Sequence, residues 1–481
     1  MGTRVISNRM YIAGAWTAAA DGARIEVVNP ANEECVDTVP VATPADVDAA
    51  LNAAAGASAP WQEVDVWTRS ALVRRVAELI RDRCDPIAEA LTEEQGKPLA
   101  ESKAEIRATA EQFAWYADEA RRAFSRAADT QCRPHAVLMF LQPIGAVAAF
   151  SPWHSPALAL ARIMAPAVAA GCPIIATSPA EAPRTALCLA EACHDGGIPE
   201  GVVNVVTGDT NLIAERVAQS DVVRKVIFCG PVWMGRKILR LCADSVKPVS
   251  MELGGCSPVL VFEDADVERT AETAARGKFC GNGRPSAAAG RFYVQKSVAE
   301  RFVNRFVEVV RSLRLGDGRD PGTEVGPLAG RRRLEIAEAL VADAVSKGAE
   351  VRCGGERPDE FKRGFYYRPT VLTNVSPDMR VMYEEAFSPV APIATFTDLA
   401  DALAKANSTE SGLAGYIYTS DTKTALAASE GLEADVVAVN SLFAGKVEAA
   451  FMDARKPGFS WESGKEGIES YTVAKYVSIR L

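Results

Sequence analysis

The chain has 481 residues, of which 48% are hydrophobic and 24% charged, the balance of an ordinary globular protein rather than of a disordered or collagen-like chain. Its 53 Lys and Arg residues against 62 Asp and Glu residues leave a net charge of −9, which argues against nucleic acid or an anionic membrane as partner. Eleven cysteines with no secretory leader predict reduced thiols in the cytoplasm, and three histidines give no support to a metal site.

The first part of the chain predicts short strands followed by long helices. Turn residues and alternation over 10–40 indicate the strands, and Thr43 and Pro44 are typical of a helix N-cap and first turn. Helical periodicity then extends over 66–95 and 98–126.

From residue 144 strands and helices alternate at short spacing, which predicts a doubly wound parallel sheet. The predicted strands of this series are 144–150, 174–176, 202–206 and 226–228. A second series begins after a seam near 250–252, with strands at 259–262, 292–294, 393–396, 415–418 and 436–439. Residues 471–480 predict a terminal strand of the kind that pairs with another chain.

Four turns that follow predicted strands are candidate sites, because ligands of an open α/β sheet bind beyond the carboxyl ends of its strands. In the first, His154 follows Trp153 and offers an oxyanion donor or a base. In the second, a helix opens after Gly230, and Pro231 lacks the N–H that a phosphate would use. A structural interpretation stays open for both: a packed Trp with a structural His, and an ordinary strand–turn–helix.

The other two turns carry an acid and a hydroxyl. Glu252 precedes two glycines and offers a general base, or else it is a surface Glu before a glycine turn. Ser286 lies in a Gly-rich stretch before a strand, and it needs an adjacent base to be a nucleophile. Its structural interpretation is a Ser in a flexible loop.

Short motifs in a fixed order extend over nearly the whole chain. They are Tyr-Ile-Ala-Gly at 11–14, Val-Asn-Pro-Ala at 28–31, Pro-Ile-Gly-Ala-Val at 143–147, Pro-Trp at 152–153, Glu-Leu-Gly-Gly at 252–255, Gly-Pro-Leu at 326–328, Glu-Glu-Ala-Phe-Ser-Pro at 384–389 and Glu-Ser-Tyr at 469–471. Their order and spacing resemble the aldehyde dehydrogenase superfamily.

The resemblance implies an α/β, aldehyde dehydrogenase-like fold with three parts. A Rossmann-like cofactor domain is expected at 1–118 and 143–250, an α/β catalytic domain at 251–440, and a bridging oligomerisation strand segment at 119–142 and 460–481. It also implies a homodimer or homotetramer in which the C-terminal strand pairs across subunits.

The same resemblance implies a mechanism in which a Cys attacks an aldehyde, NAD(P)⁺ takes the hydride and a Glu activates water to hydrolyse the thioester. Lys278-Phe279 and Arg291 set the register of the nucleophile pattern in this chain. Ser286 then falls on the Cys position and Arg284 on a nearby Gln, so the chain resembles a divergent member that lacks the nucleophilic Cys.

Other family positions also differ. His154 falls on the oxyanion Asn, Thr177 on the Lys that contacts the adenosine ribose, and Pro231 on the phosphate-binding Ser. The positions that keep the family residue are Glu252 as general base, Glu385 for the nicotinamide ribose, and Trp153, Gly230 and Gly254 as cofactor contacts.

These departures predict that the family's usual thioester-forming oxidation is lost and that NAD(P) is not bound or is bound weakly, because each lost hydrogen bond to a charged group costs about 1.5–3 kcal/mol. The expected function is a repurposed enzyme whose catalytic residues serve acid–base or non-covalent chemistry on a small carbonyl or imine compound. Those residues are Ser286, Glu252, His154 and Arg284. Arg284 suggests an anionic substrate group. The alternatives are an inactive homologue with an assembly or regulatory role, and acyl transfer or ester hydrolysis by Ser286.

Overall fold

The computed structural model of the chain describes residues 9–123, 125–128, 135–283, 288–385, 387–409, 412–442, 447–449 and 462–480. Within these ranges, no helix is both long enough and apolar enough to cross a membrane. The ten cysteines that fall inside them form no disulfide.

The strands are short and occur along the whole chain. In order they are β1 (Met10–Ile12), β2 (Ala15–Thr17), β3 (Arg24–Val28), β4 (Cys35–Pro40), β5 (Arg126–Ala128), β6 (His135–Pro143), β7 (Ala146–Phe150), β8 (Ile174–Thr177), β9 (Val203–Val206), β10 (Val223–Gly230), β11 (Val249–Leu253), β12 (Ser257–Val261), β13 (Ala289–Gln295), β14 (Glu350–Cys353), β15 (Thr370–Thr373), β16 (Val390–Phe396), β17 (Ala414–Tyr418), β18 (Val436–Val439) and β19 (Thr472–Arg480).

The helices connect most of these strands. They are α1 (Pro44–Glu63), α2 (Val66–Asp82), α3 (Cys84–Gln95), α4 (Leu99–Ala120), α5 (Pro156–Ala170), α6 (Pro183–Asp195), α7 (Thr210–Gln219), α8 (Val232–Ala243), α9 (Val267–Phe279), α10 (Ala299–Ser312), α11 (Arg331–Ser346), α12 (Leu399–Ala406), α13 (Thr422–Gly431) and α14 (Gly464–Glu469). Thr43 caps α1 in a capping box with Asp46, and Pro44 stands in its first turn, as the residue types predict.

The first large sheet has the strand order β11-β10-β7-β8-β9-β1-β2. Its β11, β10, β7, β8 and β9 are parallel, and β1 joins β9 and β2 in antiparallel pairing. Strands β7, β8, β9 and β11 are buried along their whole length, which fits a sheet that helices cover on both faces. Helix α5 supplies the densest of this packing, with nearly every side chain buried.

The second large sheet has the order β14-β15-β16-β13-β12-β17-β18 and is parallel except at β14. It has its own core, to which Phe292, Phe302 and Phe306 contribute tilted and edge-on ring contacts. The two series of parallel strands agree with the sequence, so the predicted α/β class is confirmed.

A third, antiparallel sheet joins β5 and β6 to the C-terminal strand β19. In it β19 pairs with β6 from Thr472 opposite Pro143 to Arg480 opposite His135, and β6 also pairs with β5. The terminal strand therefore has a sheet within its own chain, whereas the sequence predicted none nearby. Its partner was missed because the two strands are more than 300 residues apart along the chain.

Two predicted helices end earlier than expected. The helix expected over 66–95 breaks at Arg83, since Pro86 lacks the N–H that would continue the backbone ladder. The helix expected over 98–126 ends at Ala120, and Arg126–Ala128 is a strand paired with β6. There the sheet pairing overrides the local helical pattern.

Candidate functional site

The carboxyl ends of four neighbouring parallel strands meet at one edge of the first sheet. Strands β8, β7, β10 and β11 lie side by side, so Phe150 pairs with both Thr177 and Phe228, and Cys229 pairs with Glu252. This order brings together the loop after β7, the start of α8 and the acid on β11. Such an edge is where open α/β sheets bind their ligands.

A cleft of about 340 Å³ opens at this edge. Most of the predicted site residues line it: Trp153, His154, Gly230, Pro231, Glu252 and Gly254. Glu181, Arg332, Arg333 and Phe387 also line it, and the sequence assigned none of them to the site. The site therefore forms from the edge of the first sheet, the first turn of α11 and the segment that precedes β16.

Thr177 and Glu385 are predicted site residues that the structure describes and that do not line this cleft. Thr177 ends β8 and is only 3% exposed, and its carbonyl oxygen accepts a hydrogen bond from the backbone N–H of Ser151. Ser286 and Arg284 fall in 284–287, outside the described residues. The segment before them is anchored, since the Asn282 side chain donates to the Gly326 carbonyl oxygen at 2.9 Å.

Glu252 belongs to a buried group of charged side chains. It is buried on β11, and Glu462 lies close enough to be affected by its charge. Burial, together with the charge of Glu252, raises the pKa of Glu462 to about 8, although Arg162 and Lys225 act in the opposite direction. Burial and the same Glu252 charge hold the pKa of the neighbouring Cys229 thiol well above its ordinary value. Cys229 therefore stays a neutral thiol at physiological pH.

An aromatic wall holds the first candidate turn. The His154 ring stacks on Phe387 with centroids 5.2 Å apart, and Trp153 meets Phe387 edge-on at 5.5 Å. The Arg333 guanidinium lies over the Trp153 ring at 4.2 Å. Phe387 and Arg333 are distant in sequence from the loop they contact, and no local pattern identified them.

Three buried polar side chains, Gln95, Lys97 and Glu105, hold the backbone of the same turn, and together they are called the polar bracket. Gln95 donates from Nε2 to the carbonyl oxygens of Trp153 at 2.6 Å and His154 at 2.8 Å. Lys97 Nζ donates to the His154 carbonyl oxygen at 3.3 Å and pairs with Glu105.

Glu105 extends this bracket to α5. Its carboxylate accepts the backbone N–H groups of Ala157 at 3.0 Å and Leu158 at 3.3 Å, in the first turn of that helix. The loop that carries His154 is thus held at both of its ends. The run Gln95-Gly96-Lys97 is a signal that could have identified these residues from the sequence. It places two polar side chains at a turn between two helices, where Gly96 has a φ of +82°.

Gly254 and Glu385 meet beside the cleft. A Cβ added at Gly254 would overlap the Glu385 carboxyl group, so only glycine lets that carboxyl approach the backbone. The Gly255 N–H donates to Glu385, and the nearby Arg333 also favours its ionised form. Burial outweighs both and raises the pKa of Glu385 to about 8.

The start of α8 forms another part of the wall. Pro231 stands at the N-cap, and the Met234 and Gly235 N–H groups donate to its carbonyl oxygen. The Val232 and Trp233 N–H groups belong to the first turn, where a helix has no backbone acceptor for them. Trp233 is 62% exposed beside the cleft.

Comparison with known proteins gives a consistent answer over the whole length of the chain. The profile of the aldehyde dehydrogenase family matches residues 16–477. The succinate-semialdehyde dehydrogenase [NADP(+)] of Escherichia coli is 37% identical, covering 100% of this chain and 99% of the relative. The glutarate-semialdehyde dehydrogenase of Pseudomonas putida is 37% identical over 99% of this chain and 98% of the relative.

A solved structure shares the fold closely. The crystal structure of succinate-semialdehyde dehydrogenase from Burkholderia pseudomallei superposes with a TM-score of 0.97 at 36% identity, covering 99% of this chain and 98% of that one.

These relatives overturn two expectations drawn from the sequence. The prediction that the usual NAD(P)-dependent aldehyde oxidation is lost is wrong, because full-length relatives at 36–37% identity are named as semialdehyde dehydrogenases. The same finding contradicts the functions predicted in its place: a repurposed acid–base enzyme, an inactive homologue with an assembly or regulatory role, and an esterase or acyl transferase that uses Ser286. The prediction of absent or weak NAD(P) binding is contradicted as well, since the Escherichia coli relative is named for NADP(+).

Both errors have the same physical reason: cofactor affinity was judged from single contact positions, without the other residues that line the cleft. Replacements at Thr177 and Pro231 remove one contact each, whereas the cleft also has walls built by Arg333 and Phe387 from elsewhere in the chain. With the α/β fold, the full-length profile match and the similarity to these dehydrogenases, the chain belongs to the aldehyde dehydrogenase family.

Proposed function

We propose that this protein oxidises a small aldehyde bearing an anionic group to the carboxylic acid, with NAD(P)⁺ as hydride acceptor. The observation that carries the proposal is the convergence of Trp153, His154, Glu252 and Gly254 on one cleft, in a chain whose full-length relatives are semialdehyde dehydrogenases. The aldehydes in the names of those relatives, succinate and glutarate semialdehyde, each carry a carboxylate.

The described residues fit a nicotinamide dinucleotide. The first turn of α8 offers backbone N–H groups to phosphate, and Arg332 and Arg333 add positive charge to the same cleft. Glu385, next to Gly254, offers a carboxylate to ribose hydroxyls. When bound, the nicotinamide supplies the hydride acceptor of the reaction.

The chain's own residues divide the remaining tasks. Ser286 stands at the position where the family pattern has Cys, and its Oγ adds to the aldehyde carbon while its proton passes to a base. Loss of hydride from that carbon then leaves an ester on Ser286. Glu252 takes a proton from the water that hydrolyses this ester, which frees the acid and restores the Ser286 hydroxyl.

Two further residues complete this assignment. His154 faces the cleft where it can donate a hydrogen bond to the oxygen that becomes negative during addition. Arg284 pairs with the anionic group of the substrate through its guanidinium. The role of His154 follows its position on the family's oxyanion Asn, and that of Arg284 follows from its guanidinium.

The activity assay offers succinate and glutarate semialdehyde, with butanal as an uncharged control, each with NAD⁺ and with NADP⁺. We expect reduced cofactor to form in step with carboxylic acid and the charged aldehydes to have the higher kcat/KM. Absence of turnover with all three aldehydes and both cofactors would contradict the proposal. A kcat/KM for butanal equal to that of the charged aldehydes would show that the enzyme does not select an anionic group.

We also propose that the chain works as a homodimer or homotetramer. Strand β19 is the edge of its sheet among the described residues, and its Val473, Tyr476 and Ile479 side chains are large, apolar and exposed. An exposed edge strand with such side chains is a pairing surface for a second copy. Light scattering during gel filtration is expected to give the mass of two or four chains, and a monomer mass at assay concentration would refute the proposal.

A further inference from the structure

Three consecutive arginines open helix α11, and they point to different places. Arg331 lies outside the cleft, where it pairs with Glu33 at 3.0 Å and stacks on Phe365. Arg332 and Arg333 both line the cleft. Arg331 therefore serves as a control for its two neighbours, since it belongs to the same run but does not line the cleft.

Arg333 is placed by aromatic rings rather than by a close carboxylate. Its guanidinium lies 4.2 Å from the centroid of Trp153 and 5.9 Å from that of Phe387. Burial lowers the pKa of Arg333, and the charges of Glu181 and Glu385 act in the opposite direction. A guanidinium stacked on a ring keeps its N–H donors at the edge of its plane, so Arg333 can still donate to a bound anion.

The cleft needs such cations if it is to hold a dinucleotide. Pro231 removes one backbone donor at the start of α8, and Thr177 is buried away from the cleft surface. Glu181 and Glu252 line the same cleft and would repel phosphate. Among the described residues that line the cleft, Arg332 and Arg333 are the only Lys or Arg side chains.

We propose that Arg333, stacked on Trp153, binds the phosphates of the dinucleotide directly and that Arg332 supports it with a second positive charge. This inference rests on the proposed function. It places the principal phosphate contact on α11, beside the second sheet, instead of on the residues at positions 177 and 231. Bidentate pairing between guanidinium and phosphate is the strongest contact available to these side chains.

The experiment measures binding without turnover. Calorimetric titration with NADP⁺ and NAD⁺, in the absence of aldehyde, compares the wild type with Arg331→Met, Arg332→Met and Arg333→Met. A lost hydrogen-bonded contact to a charged group predicts a Kd about 10- to 100-fold higher for Arg333→Met. We expect a smaller rise for Arg332→Met and an unchanged Kd for Arg331→Met, the matched control.

Three further measurements separate phosphate binding from a supporting role toward Trp153. The salt dependence of Kd should be weaker in Arg333→Met than in the wild type, and Arg333→Lys should recover part of the affinity because it keeps the charge. Inorganic pyrophosphate should compete with cofactor for the wild type more effectively than for Arg333→Met.

The outcomes are distinguishable. Equal Kd and equal salt dependence for the wild type and Arg333→Met would overturn this inference alone. A wild type that binds neither cofactor would overturn the proposed function and this inference with it. If Arg333→Met fails to fold, Arg333→Gln takes its place, and a wild-type Kd with wild-type salt dependence for that variant would equally overturn this inference.

Discussion

At the scale of single residues, Ser286 sets the chemical limit of the proposed reaction. A hydroxyl is far less acidic than a thiol, so its addition to an aldehyde depends on a base, whereas a Cys supplies a thiolate. We therefore expect Ser286→Cys to raise kcat by about tenfold or more under conditions where the wild type turns over slowly. Steady-state kinetics at saturating aldehyde and cofactor will measure the change.

Reactivity toward iodoacetamide gives an independent check on the same residue. The Cys variant should be inactivated much faster than the wild type, whose Cys256 thiol is buried with its pKa raised to about 12. Ser286→Ala should fall below the wild type in kcat. An alanine variant as fast as the wild type would show that Ser286 is not the nucleophile.

Part of the site is predictable because its residues lie at short motifs after strands. Trp153, His154, Glu252 and Gly254 follow or end predicted strands, and the structure brings them to one cleft. Arg333 and Phe387 come from other parts of the chain, and only tertiary packing places them against Trp153. A local sequence pattern carries no information about such a contact. The sequence therefore offered no sign of the positive charge that Arg332 and Arg333 bring to the cleft.

At the scale of elements, the connection between α3 and α4 holds the loop between β7 and α5. We expect Gln95→Leu to lower kcat about tenfold or more while the KM of the aldehyde changes little. The variant removes the Gln95 donor from the Trp153 and His154 carbonyl oxygens, of which the second keeps its longer bond from Lys97. Because a loss of folded protein would also lower the apparent kcat at constant KM, kcat is normalised to the fraction of folded enzyme.

A second buried glutamine supplies the control for that variant. Gln112 lies on α4 and is 4% exposed, and it belongs to no part of the cleft wall described above. Gln112→Leu should match Gln95→Leu in the polarity removed and leave kcat and KM at wild-type values. A similar loss of kcat in both variants would argue against a specific role for the bracket.

Element boundaries were less predictable than element types. The run of parallel strands and helices follows from buried β-branched and alanine-rich segments, and it was confirmed. The break at Arg83 depends on Pro86, and the strand at Arg126–Ala128 depends on pairing with β6. The helical periodicity of the sequence continues through both places and does not indicate either one. The proposed division into 1–118 with 143–250, 251–440, and 119–142 with 460–481 stays a prediction.

At the scale of the whole molecule, buried carboxyl groups should couple stability to pH. Glu94 is fully buried under the start of α6, where it accepts hydrogen bonds from Thr185 and from the Arg184 N–H. Burial still dominates and raises the pKa of Glu94 to about 7 from its ordinary 4.5. The pKa values of Glu385 and Glu462, at about 8, are raised by the same cause.

The direction of this coupling follows from proton counting. Between pH 4.5 and about 7 the folded chain keeps the Glu94 proton that the unfolded chain releases, so the free energy of unfolding falls as pH rises through this window and then levels off. For Glu94 the total fall is on the order of 3 kcal/mol. Glu94→Gln stays neutral in both states and should remove that part of the slope. Urea unfolding of both proteins at the two ends of the window, at one protein concentration, measures the difference. The same slope in the wild type and the variant would mean that Glu94 is already ionised in the folded protein at pH 4.5, with its hydrogen bonds to Thr185 and Arg184 outweighing burial.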